Sequence, residues 1–285
     1  MWPKKMDPVQ SKIESYLLIE AGKGRRQFCK DLWNYRELFL FLSWRDILVR
    51  YKQTVLGVLW SMLRPLLTII IFTLIFGRLA KLPSQGVPYA ILVFAAMLPW
   101  QLFASALSES SNSLLGNAHL ISKIYFPRLI IPISSVMVSL LDLLISLALL
   151  LGLMAWYHCL PGSRFLFGFF FLFLALLLAL GCGFWFSALN VKYRDFRHII
   201  AVIIQFGLYL SPVGFSSEII PEHWRLLYSL NPMVGVIDGF RWAMLGGKTT
   251  LYPPAVILAV ALGLTIFFSG VWFFRKMEKT FADVI

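Results

Sequence analysis

Six stretches of this sequence are each long and apolar enough to thread a bilayer as a helix: 58–77, 89–110, 129–156, 165–189, 199–215 and 255–274. About 20 apolar residues match the hydrocarbon core, and a helix satisfies every backbone polar group within its own segment. No other feature restricts the fold as much. The fifth stretch is short and the third long, which predicts tilt or a kink at both. Composition agrees: charged residues are only 14% of the chain and hydrophobic ones 59%, whereas soluble domains carry about a quarter charged residues. The expected fold class is an all-α integral membrane protein with six transmembrane helices, an N-terminal amphipathic helix and a re-entrant helical hairpin.

Basic residues set the orientation. With both termini in the cytosol, 20 of the 26 Lys and Arg fall on the cytosolic side, as the positive-inside rule requires. The outer remainder is Arg78, Lys81, Arg164, Arg225, Arg241 and Lys248. The net charge of +12 is therefore a topology signal. It is spread over four segments with no aromatic–basic platform, which argues against nucleic acid as a partner. The first 54 residues are polar and basic, with no apolar run that reads as a cleavable leader. Cys29, Cys159 and Cys182 stand far apart and fit neither a disulfide framework nor a metal site.

Three pieces do not cross. Residues 34–53, NYRELFLFLSWRDILVRYKQ, place Arg36, Ser43, Asp46, Arg50 and Gln53 at helical spacing, opposite Leu38, Phe41, Leu42, Leu48 and Val49. With Trp44 at its middle, this helix is suited to cytosolic headgroups or to a soluble partner. Residues 116–127, GNAHLISKIYFP, form a short cytosolic helix with Asn117 as N-cap and an apolar face of Leu120, Ile121, Ile124 and Tyr125. Such a helix needs a partner's groove or else rests as a plain connection on the membrane. Residues 216–250 are too apolar for a free loop, yet the stretches 224–230 and 233–245 are too short to span. A pair of half-helices dipping into the outer leaflet fits, and such backbone is tolerated only in protein or beside a water-filled cavity.

These residues resemble the permease subunit of ATP-binding-cassette exporters of type two, which move lipid-linked polysaccharides such as O-antigen, capsule or teichoic acid precursors. The most specific match is 51–66, YKQTVLGVLWSMLRPL; the others are 191–199, VKYRDFRHI, with LSPV at 210–213, and 230–246, LNPMVGVIDGFRWAMLG. The resemblance runs from Trp33 to the C-terminus. It implies a homodimer in a bacterial inner membrane, bound to two copies of a cytosolic ATPase subunit that holds ATP and magnesium, with an undecaprenyl-linked polysaccharide as substrate. This chain itself would need no cofactor, metal or catalytic residue.

The same resemblance divides the chain into a cytosolic segment 1–33, an interface helix 34–53 and a permease domain 54–285. Within the last, 116–126 would be the coupling helix, using Asn117, His119, Leu120, Ile121, Lys123, Ile124 and Tyr125, and 216–250 the periplasmic gate. Spans one and five would line the channel, where aromatic rings suit the flat faces of sugars; candidates are Trp60, Phe72, Phe76, Phe206, Tyr209 and Phe215. Arg36, Trp44, Arg50 and Arg64 are the interface and headgroup candidates, Arg64 either on a pyrophosphate or snorkelling to lipid phosphates.

Other signals are weaker. Gly246-Gly247-Lys248-Thr249 looks like the tail of a phosphate loop, but position 242 is Trp where that loop needs Gly. Asp142 is an ionisable residue inside span three, for which a polar contact with a neighbouring helix is the simpler reading. The four histidines lie far apart, without zinc spacing or a paired acid. Alternatives are an exporter of another lipid or a drug in the same superfamily, and an ion-coupled secondary transporter, which would show paired ionisable groups in broken helices. A membrane glycosyl- or acyltransferase would need a polar catalytic cluster.

Overall fold

The computed structural model describes residues 33–52, 57–81, 83, 86–124, 126–193 and 195–281. All its regular elements are helical. Helix α1 covers Arg36–Lys52. Helix α2, Gly57–Phe72, runs into a wider π-turn at Thr73–Leu79. Helix α3 is Tyr89–Gly116, and the short α4, Ala118–Lys123, follows it directly. The long third stretch is two helices, α5 at Ile130–Ser135 and α6 at Met137–Trp156, broken at Val136. Then come α7, Phe165–Lys192, α8, Phe196–Leu210, α9, Glu222–Tyr228, α10, Pro232–Met244, and α11, Pro253–Met277.

Five of these helical stretches are long and apolar enough to cross a bilayer, so the chain is a multi-pass membrane protein. The sixth expected crossing differs. Helix α8 has 15 residues and rises about 22 Å at 1.5 Å per residue, short of a hydrocarbon core of about 30 Å. It stops because Ser211 precedes Pro212, and the proline ring pushes the residue before it out of the helical region; Ser211 is extended, with φ −105° and ψ 152°.

Helix α3 is the central post. It packs on α2, α5, α6, α7, α8 and α10, and 78% of its most apolar window is buried within the chain, against 12% for the first span. Lipid supplies no hydrophobic force between helices, so close contact depends on small residues. Between α7 and α11 the backbones touch: a Cβ on Gly270 would stand 2.3 Å from the carbonyl oxygen of Gly181. Trp185 stacks on Phe273 across the same seam with centroids 3.9 Å apart and donates to Ser269 Oγ at 3.2 Å.

Two apolar cores divide the bundle by height. One joins α3, α6, α7 and α10 through Phe94, Leu107, Leu150, Leu178 and Phe240. The other lies at the end carrying α1 and α4, where Leu42, Leu114, Ile121, Phe184, Phe274 and Phe281 meet. The C-terminal turn closes this end. Arg128 donates its backbone N–H to Glu278 Oε1 at 3.0 Å and its guanidinium to the Glu278 carbonyl. Burial pushes the Glu278 carboxyl above its ordinary value, while the Arg128 contacts pull it back.

Candidate functional site

The amphipathic helix α1 divides its surface between the bundle and the outside. Leu42 and Ser43 are buried, while Arg36, Leu40, Phe41, Trp44 and Val49 are exposed. Its polar edge turns into the bundle. Arg45 donates to Asn117 Oδ1 at 2.7 Å, tying α1 to the start of α4. One turn further on, Arg50 bridges two spans: Nη1 lies 3.0 Å from Glu109 Oε1 on α3, and Nη2 lies 2.7 Å from Asp142 Oδ2 on α6. Asp142 Oδ1 also accepts from the Tyr51 hydroxyl at 2.5 Å and from Ser61 Oγ at 2.8 Å. Burial, then the hydrogen bond to Asp142, pushes the Tyr51 phenol above its ordinary value.

The reading of Asp142 as a contact between helices therefore fits, with partners on α1 and α2. Glu109 was not singled out in the sequence, although it is a second acid inside an apolar span. Two intramembrane acids near one Arg-ending amphipathic helix were the available signal.

This network forms one end of a cavity of about 690 Å³ between α1, α2, α3, α6 and α8. Its walls combine serines and Gln101 with Pro65, Met97, Trp100, Leu143 and Leu208. Volume and mixed lining are those of small-molecule sites, about 300–1,000 Å³.

At α4 the structure revises the expected apolar face. Ile121 is only 6% exposed and Leu120 packs beside it, both in this chain's own core. What α4 offers outward is His119, Ser122, Lys123 and Ile124, the last 54% exposed. Asn117 occupies the N-cap position, but its side chain makes no capping bond; it donates to Ser113 O at 2.9 Å and accepts from Arg45. Tyr125 lies outside the described residues, as do the side chains of Trp60 and Arg64.

The aromatic candidates do not gather in one place. Phe72 and Phe76 are half-buried, 5.3 Å apart between centroids, and close over Gly214, where an added Cβ would meet their rings at 3.1 and 3.2 Å. Phe215 is half-buried 6.5 Å from Tyr228. Phe206 and Tyr209 stand exposed on α8.

The segment between α8 and α11 holds a buried cation that loop reasoning missed. Arg241 was counted among the outer charges, yet it is 2% exposed. Its guanidinium donates to the carbonyls of Leu92 at 3.1 Å, Phe215 at 2.8 Å and Val213 at 2.9 Å, with Asp238 Oδ1 3.7 Å away. Val213 and Phe215 lie in the irregular chain after α8, whose carbonyls have no helical partner. One planar fork of donors satisfies them together. Asn231 caps α10 by accepting from Met233 N at 3.1 Å, and Asp238 accepts from Ser217 Oγ. Helix α10 is therefore a core element, while α9 is largely exposed.

Gly246 and Gly247 have φ of +66° and +84°. They end α10, as left-handed glycines commonly do. Lys248 and Thr249 do not open a helix, since the next one starts at Pro253.

With the geometry in place, the relatives can be read. The family model described as ABC-2 type transporter matches residues 37–245. The chain is 29% identical over 250 residues to the O-antigen export system permease protein RfbA of Klebsiella pneumoniae, covering 87% of this chain and 95% of that one. A protein of the same name from Myxococcus xanthus is 26% identical over 259 residues, covering 90% and 98%. The polysialic acid transport protein KpsM of Escherichia coli is 26% identical over 248 residues, covering 84% and 92%. The family match takes in α1 through α10, including the Arg50 network and the Arg241 clamp, and on that extent the chain belongs to the ABC-2 type transporter membrane family.

Proposed function

We propose that this chain is the membrane subunit of an ATP-driven exporter that carries a lipid-linked polysaccharide, in the first place an O-antigen, out of the cytosol. The observation that carries this reading is similarity along nearly the whole length of both chains to proteins named as O-antigen export permeases. ATP hydrolysis belongs to a separate subunit with its own magnesium. Two copies of this chain and two of the ATPase make the working assembly, in an inner membrane with both termini cytosolic.

The parts take roles by position. The outward face of α4, His119 with Lys123 and Ile124, meets the ATPase, and Asn117 passes its movement to α1 through Arg45. Helix α1 lies at the headgroups with Trp44 and Phe41 in the lipid interface and Arg36 near phosphates. The first span and α8 face the second copy; their large exposed apolar surfaces support a partner there, with Phe206 and Tyr209 on the conduit. Helix α8 with the chain to Phe215 makes the sixth crossing, and α9–α10 form the outer gate.

The test is the fate of the glycan in cells lacking this chain. Lipid-linked polymer should accumulate on the cytosolic side while synthesis continues, and return of the gene should restore surface polymer. Normal surface polymer in the deletion strain would overturn the reading.

A further inference from the structure

The cavity beneath the first span and α8 has a chemistry of its own. Among the described residues its charged end holds one guanidinium against two carboxylates, a formal excess of one acid. Arg50 already spends Nη1 on Glu109 and Nη2 on Asp142. A phosphate or pyrophosphate entering here would meet surplus negative charge and a cation already engaged.

The rest of the lining offers polar side chains that have no hydrogen-bond partner among the described residues. Ser146 is 5% exposed, lines the cavity, and its hydroxyl has no hydrogen-bond partner among the described residues. The side chains of Gln101 and Ser108 are likewise unpartnered among the described residues, as is Glu109 Oε2, on a side chain 43% exposed. Trp100, pressed against Gly207 of α8, provides an apolar ring in the same wall. Free carboxylate and hydroxyl acceptors, an amide that both donates and accepts, and an indole surface together match a neutral polyol.

We propose that this cavity is a recess for a neutral, hydroxyl-rich sugar unit of the transported polymer, with Glu109 accepting from its hydroxyls, and that the phosphate-bearing end of the substrate is held elsewhere. The inference rests on the polysaccharide reading above. The recess opens beside the helices that face the second copy, so it is a side pocket of the conduit. A sugar unit resting there would be bound weakly, by exchangeable hydrogen bonds.

A cysteine in the recess tests this. Ser146→Cys is made in a full-length chain whose Cys29, Cys159 and Cys182 are replaced by Ala, assembled with its ATPase. Labelling by a small methanethiosulfonate is timed with a neutral mannose disaccharide or with inorganic pyrophosphate. The disaccharide should slow labelling about fivefold at about four times its dissociation constant, by simple mass action, while pyrophosphate leaves the rate unchanged. Adding Glu109→Gln should weaken protection by the disaccharide. Protection by pyrophosphate and not by sugar would overturn the proposal, as would a cysteine that labels freely in both, or one that never labels. If the parent assembly exports polymer in cells and protection is nonetheless absent, the recess alone is refuted. If it exports none, the underlying reading falls with it.

Discussion

Arg241 and Arg50 show how differently one residue type can act within a single membrane bundle. Arg241 holds the carbonyls of Val213 and Phe215, where the chain leaves α8, together with that of Leu92 in α3. Replacing it by Ala strands those acceptors and leaves Asp238 without its cation, a loss of about 3–5 kcal/mol for a broken buried pair. The variant should melt well below the parent in detergent. Arg241→Lys should recover part of the loss, because one ammonium cannot reproduce the planar fork. A variant Arg241→Ala melting at the parent temperature would refute the clamp. Arg50 instead balances two acids. Arg50→Ala leaves both carboxylates facing each other unpaired and should destabilise more than Asp142→Asn, which removes the surplus charge. Adding Asp142→Asn to Arg50→Ala should restore stability, and thermal melting of the double variant measures that coupling. Simple additivity of the two losses would contradict a shared network.

Among the elements, α4 separates what it packs from what it presents. Ile121→Glu puts a charge into the core shared with Leu42, Leu114 and Phe184 and should lower the melting temperature and yield of the whole chain. Lys123→Glu with Ile124→Glu touches exposed positions; it should leave melting unchanged and weaken ATPase capture on an affinity column. Equal capture by that double variant would move the docking surface away from α4. The sequence read the helix and its periodicity, but periodicity cannot say whether an apolar face meets its own chain or a partner. Nor does periodicity record that Arg45 and Arg50 of α1 are drawn inward by Asn117, Glu109 and Asp142 from distant parts of the chain. The α7–α11 seam gives a further check: Gly270→Leu should prevent the backbones meeting at Gly181 and reduce the folded fraction seen by size exclusion. Unchanged folding would show that the seam can open without cost.

At the scale of the molecule, the apolar runs were legible because a bilayer demands length and composition alone. Five became spanning helices, and the shortfall at α8 follows from Ser211-Pro212, a signal present in the sequence but outweighed by the apolar count. The cavity was not legible, since it is assembled from α1, α2, α3, α6 and α8, and no local pattern records which polar residues of different spans converge. Nor was the burial of Arg241, whose acceptors lie up to 149 positions away in sequence. A polar recess on one side, a broad apolar face and an inwardly anchored helix α1 support the proposed role as half of a larger conduit driven from outside the membrane. The most direct measurement is transport by the assembly in sealed vesicles containing this chain, its ATPase and a lipid-linked glycan on the ATPase side. The account predicts that glycan reaches the far side only with hydrolysable ATP and not with an ion gradient alone; passage driven by the gradient without ATP would contradict it.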